Sequence, residues 1–256
     1  MFAGMLFQHS IEKMNTAKDH YEQQLAAVYS WMAGNAEIAI KRNYDFLCQL
    51  GINSTPQGLA VDLGAGSGFQ SIPLAELGFS VVAVDFCATL LSELSDRTKG
   101  LPIRTIHDDI LNFAKYIEEQ VQVIVCMGDT LTHLESLSAV QSILVDSQRI
   151  LATNGKLILT FRDYVSTELQ GTQRFIPVQS DESTILTCFL EYHQDIVEVY
   201  DLLYRKEGDR WMLTTSSYPK LRLDKNWVCN QIQDIGLQVI KNEIINGTIC
   251  IVAEKL

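Results

Sequence analysis

The sequence predicts an α/β fold: a mostly parallel sheet with helices on both faces, interrupted late in the chain by a block of antiparallel strands. Three observations carry this. Between residues 59 and 161, short apolar runs alternate with helical patterns, as strand–helix–strand crossovers do. Between 172 and 223 the helical spacing gives way to β-rich runs. The stretch Leu59-Ala60-Val61-Asp62-Leu63-Gly64-Ala65-Gly66-Ser67-Gly68-Phe69 joins an apolar strand to a glycine-rich turn and then to a helix.

Residues 10–50 read as helices. Tyr21, Leu25, Val28, Tyr29 and Met32 recur at helical spacing, and a second helix over about 35–50 places Ile38, Ile40, Phe46 and Leu47 as its apolar positions. Asn53-Ser54-Thr55-Pro56-Gln57-Gly58 is a turn-rich break. Strands follow at Leu59–Leu63, Ser80–Asp85, Ile103–His107 and Val121–Cys126, and Asn154-Gly155 reads as a turn into a fifth strand, Lys156–Phe161. The β-rich block comprises Arg174–Val178, Thr184–Tyr192, Ile196–Arg205 and Trp211–Leu223, about four strands with turns at 193–195 and 207–209. Asp224 caps a helix through Trp227, Ile232 and Ile235, which Gly236 stops. Leu237–Glu243 and Thr248–Glu254 then pair across the tight turn Asn246-Gly247.

A chain of 256 residues, 47% of them hydrophobic, can bury a substantial core. Its formal charge of −11, without a Lys/Arg cluster, argues against a nucleic-acid substrate. No uninterrupted apolar run is long enough for a membrane span, and the apolar start Met1–Phe7 lacks a basic lead and a cleavage signature. The expectation is a soluble, cytoplasmic protein. The six cysteines form no C-x-x-C pair and the five histidines no H-x-x-x-H spacing, so neither a disulfide framework nor a metal site is expected.

The glycine turn carries the chemistry. Glycine lets backbone approach a ligand closely and tolerates positive φ. The dinucleotide fingerprint G-x-G-x-x-G would need glycine at position 69, which is Phe69; the chain instead has Gly64, Gly66 and Gly68. Asp62, just before the turn, would repel a pyrophosphate and attract an ammonium group. Asp85, closing the next strand, is placed to accept from a ribose diol. This pattern resembles motif I of the class I S-adenosylmethionine (SAM)-dependent methyltransferases. The resemblance implies a Rossmann-like seven-stranded methyltransferase sheet with helices on both faces, an N-terminal helical lid and an antiparallel β insertion, with SAM as cofactor. It implies that Asp62, Gly64, Ala65, Gly66 and Gly68 cradle the cofactor, that Asp85 holds the ribose hydroxyls and that Phe86 lies against the adenine. Of the acid pair that closes the third strand, Asp109 would accept from the adenine amino group, with Asp108 as the alternative if the register shifts by one, and the Ile110 N–H would meet the ring. Met127 and Gly128, at the end of the fourth strand, would face the methyl donor, and Tyr21 and Tyr29 would belong to the lid.

For the acceptor, Gly128-Asp129-Thr130-Leu131-Thr132-His133-Leu134 is similar to the Gly-Asn-x-x-x-His-Leu stretch of the glycine N-methyltransferase-like small-molecule enzymes, with Asp129 in the amide position. A carboxylate only accepts hydrogen bonds, so Asp129 favours a cationic amine or a hydroxyl nearby. Phe161-Arg162-Asp163-Tyr164 resembles that group's His-Arg-Asn-Tyr, in which the arginine grips a substrate carboxylate. Asp129, His133, Arg162 and Tyr164 are thus the candidate catalytic residues, with either Asp129 or His133 as the base. The expected organisation is a lid over 1–58, a SAM-binding core over 59–171, an insertion over 172–223 that covers the substrate or joins two copies as a homodimer, and a closing helix and hairpin over 224–256. The implied reaction is methyl transfer to a small-molecule amine or amino-acid-like nitrogen. The alternatives are O-methylation of a natural-product or quinone-like acceptor, and a non-catalytic SAM-binding protein.

Overall fold

The computed structural model describes residues 11–13, 17–53, 58–98 and 100–256. The apolar start Met1–Phe7 and residues 54–57 of the turn-rich break lie outside the described residues. In chain order the elements are β1 (Ile11–Lys13), α1 (Ala17–His20), a π-helical turn (Tyr21–Leu25), α2 (Ala26–Met32), α3 (Ala36–Gln49), β2 (Leu59–Leu63), α4 (Ser71–Glu76), β3 (Ser80–Asp85), α5 (Ala88–Arg97), β4 (Ile103–His107) and β5 (Val121–Cys126). There follow α6 (Leu137–Ile150), β6 (Leu151–Arg162), β7 (Phe175–Ser180), β8 (Thr184–Tyr192), β9 (Ile196–Glu207), β10 (Arg210–Leu221), α7 (Lys225–Asp234), β11 (Leu237–Ile245) and β12 (Thr248–Lys255). They form two compact units, residues 1–34 with 167–220 and residues 35–166 with 221–256.

The larger unit holds a seven-stranded sheet in the order β11-β12-β6-β5-β2-β3-β4. Strands β2 to β6 run parallel to one another, while β12 is antiparallel to both β6 and β11. Burial on both faces explains why the central strands read as almost unbroken apolar runs. Val61, Leu63, Val84 and Ile124 point to one face, where Val140, Ile143 and Leu144 of α6 and Val228 and Ile232 of α7 cover them. Ala60, Val81, Val123 and Val125 point to the other, against Leu47, Ile52, Leu74 and Phe79. Leu47 is why α3, read from the sequence as part of the N-terminal helical segment, groups with this sheet. Side chains cap three helices: Asp224, as expected from the sequence, accepts from Trp227 N (2.8 Å), and Asn35 and Ser136 do the same from Ile38 N (3.1 Å) and Ala139 N (3.2 Å), each cap contributing about 1 kcal/mol. Asn246 and Gly247 both take positive φ between β11 and β12, as a two-residue type I′ hairpin turn requires.

The Asn154-Gly155 turn lies inside β6 rather than before it. Leu151 already pairs with Val121, and the register resumes at Lys156 opposite Val123, so the extra residues loop out as an irregularity. Asn154 takes φ 63° there, and a Cβ on Gly155 would stand 2.8 Å from Ala152 O.

The smaller unit is a five-stranded sheet, β1-β10-β9-β8-β7. The strands β7 to β10 correspond to the β-rich runs of the sequence. Strand β1 is an addition: Ile11 to Lys13 pair in parallel with Thr215 to Ser217, in a stretch expected to be helical. Alternation puts Leu186 and Leu203 on one face of the sheet, against Leu25 and Val28 of the N-terminal helical segment. The opposite face carries a cross-strand row, Phe175, Phe189 and Tyr200, with ring centroids 4.7 and 5.9 Å apart. Among the described residues no helix is long and apolar enough to cross a membrane.

Candidate functional site

In an open sheet of this kind, ligands sit outside the carboxyl ends of the parallel strands, where the strand order reverses. Here β2 has β3 on one side and β5 on the other. Because β2 to β6 are parallel, the glycine turn, Asp85, the Asp108-Asp109 pair, the 127–129 segment and Arg162 all emerge on the same edge.

The glycine turn is tied to β3 by its backbone: Gly64 N and Ala65 N both donate to Val84 O, at 2.9 and 3.1 Å. Gly64, Gly66 and Gly68 have φ of 75°, 51° and 93°, the left-handed region that disfavours a side chain. A Cβ on Gly64 would overlap the Thr130 side chain, and one on Gly68 would overlap Leu94 Cδ1. The turn therefore packs directly on the loop after β5. Asp85 receives Gly66 N on Oδ2 at 2.8 Å and Cys87 N on Oδ1 at 2.7 Å. Each oxygen keeps a second lone pair, so the carboxylate is oriented and still able to accept. Burial pushes its pKa up, while the Cys87 and Gly66 N–H groups act against that.

Asp62 lies deeper. It is 1% exposed and accepts from the Ser71 hydroxyl at 2.6 Å. Burial disfavours the charged form, and together with the nearby Asp85 it outweighs the Ser71 hydroxyl and N–H and pushes the Asp62 carboxyl up to about 7. The Cys126 thiol, also buried, is pushed up chiefly by burial and further by Asp62.

The two acids after β4 have different environments. Asp108 accepts from Lys115 Nζ (2.6 Å), Tyr116 Oη (2.6 Å), Asn112 Nδ2 (3.0 Å) and Asp109 N (2.8 Å). Lys115 above all, then Tyr116 and Asn112, hold it well below the usual carboxylate range. Asp109 is exposed and takes Leu111 N on Oδ1 at 2.8 Å, capping a 3-10 turn that begins with the buried Ile110. Its Oδ2 has no donor among the described residues. Phe86 is half-buried, and its carbonyl lies 2.8 Å from His107 Nε2, joining the ends of β3 and β4.

Beyond β5, Met127 is buried, and Gly128 (φ 76°) donates its N–H to Thr160 Oγ1 at 2.8 Å. Thr132 Oγ1 and N bond the Asp129 carbonyl at 2.7 and 3.0 Å. The Asp129 side chain crosses to the end of β6: Oδ1 accepts Arg162 N at 2.9 Å, and Oδ2 stands 3.8 Å from Arg162 Nε. His133 ends the 3-10 turn Thr130–His133 and is half-buried. Tyr164 is 2% exposed, and its carbonyl accepts from Arg222 Nε at 3.1 Å. Tyr21 and Tyr29 belong to the other unit, where their rings stand 6.0 Å apart beside Leu25 and Val28. Two positioning residues escaped the sequence reading, Ser71 beneath Asp62 and Thr160 beneath Gly128. Each had a signal: Thr160 is a lone hydroxyl in an apolar strand, and Ser71 opens the helix after the glycine turn.

Residues 60–155 match a family model described as a methyltransferase domain. Glycine/sarcosine N-methyltransferase of Aphanothece halophytica is 33% identical over 106 residues, which is 41% of this chain and 40% of that protein. The chain thus matches less than half the length of that curated relative. The fold is that of solved methyltransferases. The CcbJ methyltransferase of Streptomyces caelestis superposes with a TM-score of 0.74 at 17% identity, covering 92% of this chain and 97% of that one. CalS10 from Micromonospora echinaspora, an amino pentose methyltransferase solved with SAM bound, gives 0.71 at 12% identity, covering 91% and 97%.

Proposed function

We propose that this chain, whose core is a class I SAM-dependent methyltransferase domain, transfers the methyl group of SAM to the nitrogen of a small-molecule amine. The observation that carries the cofactor half is the Asp85 carboxylate, held by Gly66 N and Cys87 N beside a glycine turn that tolerates no side chains at Gly64 and Gly68. In this reading Asp85 accepts from the ribose hydroxyls, Asp109 Oδ2 accepts from the adenine amino group, and Asp62 faces the ammonium group. The internal bonding of Asp108 favours Asp109 over it.

When bound, SAM supplies a methyl group on a sulfonium, ready for in-line attack by a nitrogen lone pair. The chain's contribution is mostly alignment, which can be worth about 7–11 kcal/mol. An amine must shed a proton around the attack, and Asp129 or His133 receives it directly or through water. The glycine/sarcosine relative is named an N-methyltransferase, which supports nitrogen over oxygen. Phe175, 52% exposed on the edge strand β7, supports a homodimer joined through the inserted sheet, which sedimentation tests.

The test is calorimetric titration with SAM and, in parallel, with NAD(H), followed by S-adenosylhomocysteine (SAH) release with a panel of amines. SAM binding near micromolar, no NAD(H) binding and turnover with an amine are expected; NAD(H) binding in place of SAM overturns the reading. Asp85→Ala removes charge-assisted bonds worth roughly 1.5–3 kcal/mol each and should weaken SAM binding at least tenfold.

A further inference from the structure

Arg162 stands at the carboxyl end of β6, about half exposed, where an arginine could receive an acidic group of the acceptor. A carboxylate of this chain already takes that place. Asp129 Oδ1 accepts the Arg162 backbone N–H at 2.9 Å, and Asp129 Oδ2 is 3.8 Å from its Nε. The arrangement is built in. Thr132 holds the Asp129 carbonyl twice, and Thr160, two residues before Arg162, holds the N–H of Gly128, the residue before Asp129. The ends of β5 and β6 are thereby locked with the carboxylate between them. A carboxylate on the acceptor that approached this arginine would meet, within a few ångströms, the like charge of Asp129, which repels it. An ammonium or a hydroxyl would meet an acceptor group instead.

We infer that Asp129 makes the acceptor site selective for amines that carry no carboxylate beside the nitrogen, such as hydroxyl-bearing amines, and excludes glycine-type amino acids. This rests on the methyl transfer proposed above and narrows its substrate. It also sets this chain apart from the glycine/sarcosine relative, whose sequence it matches over 106 residues.

Two matched pairs of probes test it: ethanolamine against glycine, and N-methylethanolamine against sarcosine. Each pair differs by a hydroxymethyl group in place of the carboxylate. SAH release is measured with each probe, and their dissociation constants are measured on SAH-loaded protein. The wild type should favour the hydroxyl member of each pair at least tenfold in kcat/KM or in affinity. Asp129→Asn keeps an oxygen for Arg162 N while removing the charge. On SAH-loaded protein it should gain at least tenfold in affinity for glycine and sarcosine, and adding Arg162→Ala should abolish that gain. A wild type that uses or binds glycine as well as ethanolamine overturns the inference, as does a folded Asp129→Asn protein that gains nothing for glycine. The wild-type ratio stands even if the variant does not fold. Failure to bind SAM or SAH at all would instead strike the proposed function, independently of Asp129.

Discussion

Replacing Asp62 by Asn should make the unliganded protein more stable, and increasingly so as the pH rises. The carboxyl is 1% exposed, its hydrogen-bond donors are the neutral Ser71 hydroxyl and N–H, and the other titratable groups facing it are Asp85 and Cys126. Burial, the largest cause, raises its pKa from 3.8 to about 7, with Asp85 adding to the rise. The folded state thus holds the proton more tightly than the unfolded chain. Below pH 4 both states are protonated, and the acid costs the fold nothing extra. Between pH 4 and 7 the unfolded chain ionises while the folded one resists, so stability falls by about 1.4 kcal/mol per pH unit. By pH 8 the accumulated loss is about 4 kcal/mol. Asn has no proton to lose and still offers Ser71 an oxygen. Urea unfolding followed by circular dichroism should show the variant ahead by about 4 kcal/mol at pH 8 and by only about 1–2 kcal/mol at pH 5. An equal difference at both pH values, or a variant less stable at pH 8, refutes the reasoning. On the proposed function the same variant should bind SAH more weakly, so that a stability gain accompanies a loss of ligand affinity.

Four further outcomes are expected. Gly68→Ala drives a Cβ into the buried Leu94 at φ 93°, at about 1–3 kcal/mol for overpacking plus roughly 1–2 kcal/mol for the left-handed backbone. Gly208→Ala, at φ 62° with nothing within 4 Å of the new Cβ, should show the backbone cost alone in the same denaturation assay. His20→Leu removes the imidazole whose Nε2 stands 2.9 Å from Oδ2 of the buried Asp201, leaving that side chain with the Cys188 thiol at 2.9 Å. A loss of about 3 kcal/mol is expected, largely recovered in the double variant His20→Leu/Asp201→Leu; a double variant as unstable as the sum of the singles contradicts the pairing. Asp108, held by Lys115, Tyr116 and Asn112, should stay ionised below the usual carboxylate range, and a carboxyl NMR titration with a midpoint near 4 contradicts that.

Much of this molecule is legible in the chain because the rules that form it are local. β-rich runs mark β7 to β10, Asn246-Gly247 carries the positive φ of its hairpin, Asp224 caps its helix, and three glycines between two apolar strands announce the tight turn at the carboxyl end of β2. Each of these depends on residues within a few positions of one another. What only the tertiary structure decided depends on partners far apart in sequence. Ile11–Lys13 is a strand because β10, some two hundred residues later, offers it an edge. Asn154-Gly155 sits inside β6 because Val121 pairs with Leu151 before the chain loops out. Asp108 and Asp109 are alike in sequence, and Lys115, Tyr116 and Asn112 separate them by engaging only the first. Asp129 and Arg162, read from the chain as two separate acceptor contacts, are bonded to each other. Periodicity and turn chemistry act along the backbone and can be read there. The pairing of charges is set by which strand ends the fold brings side by side, and one sequence does not carry that distance.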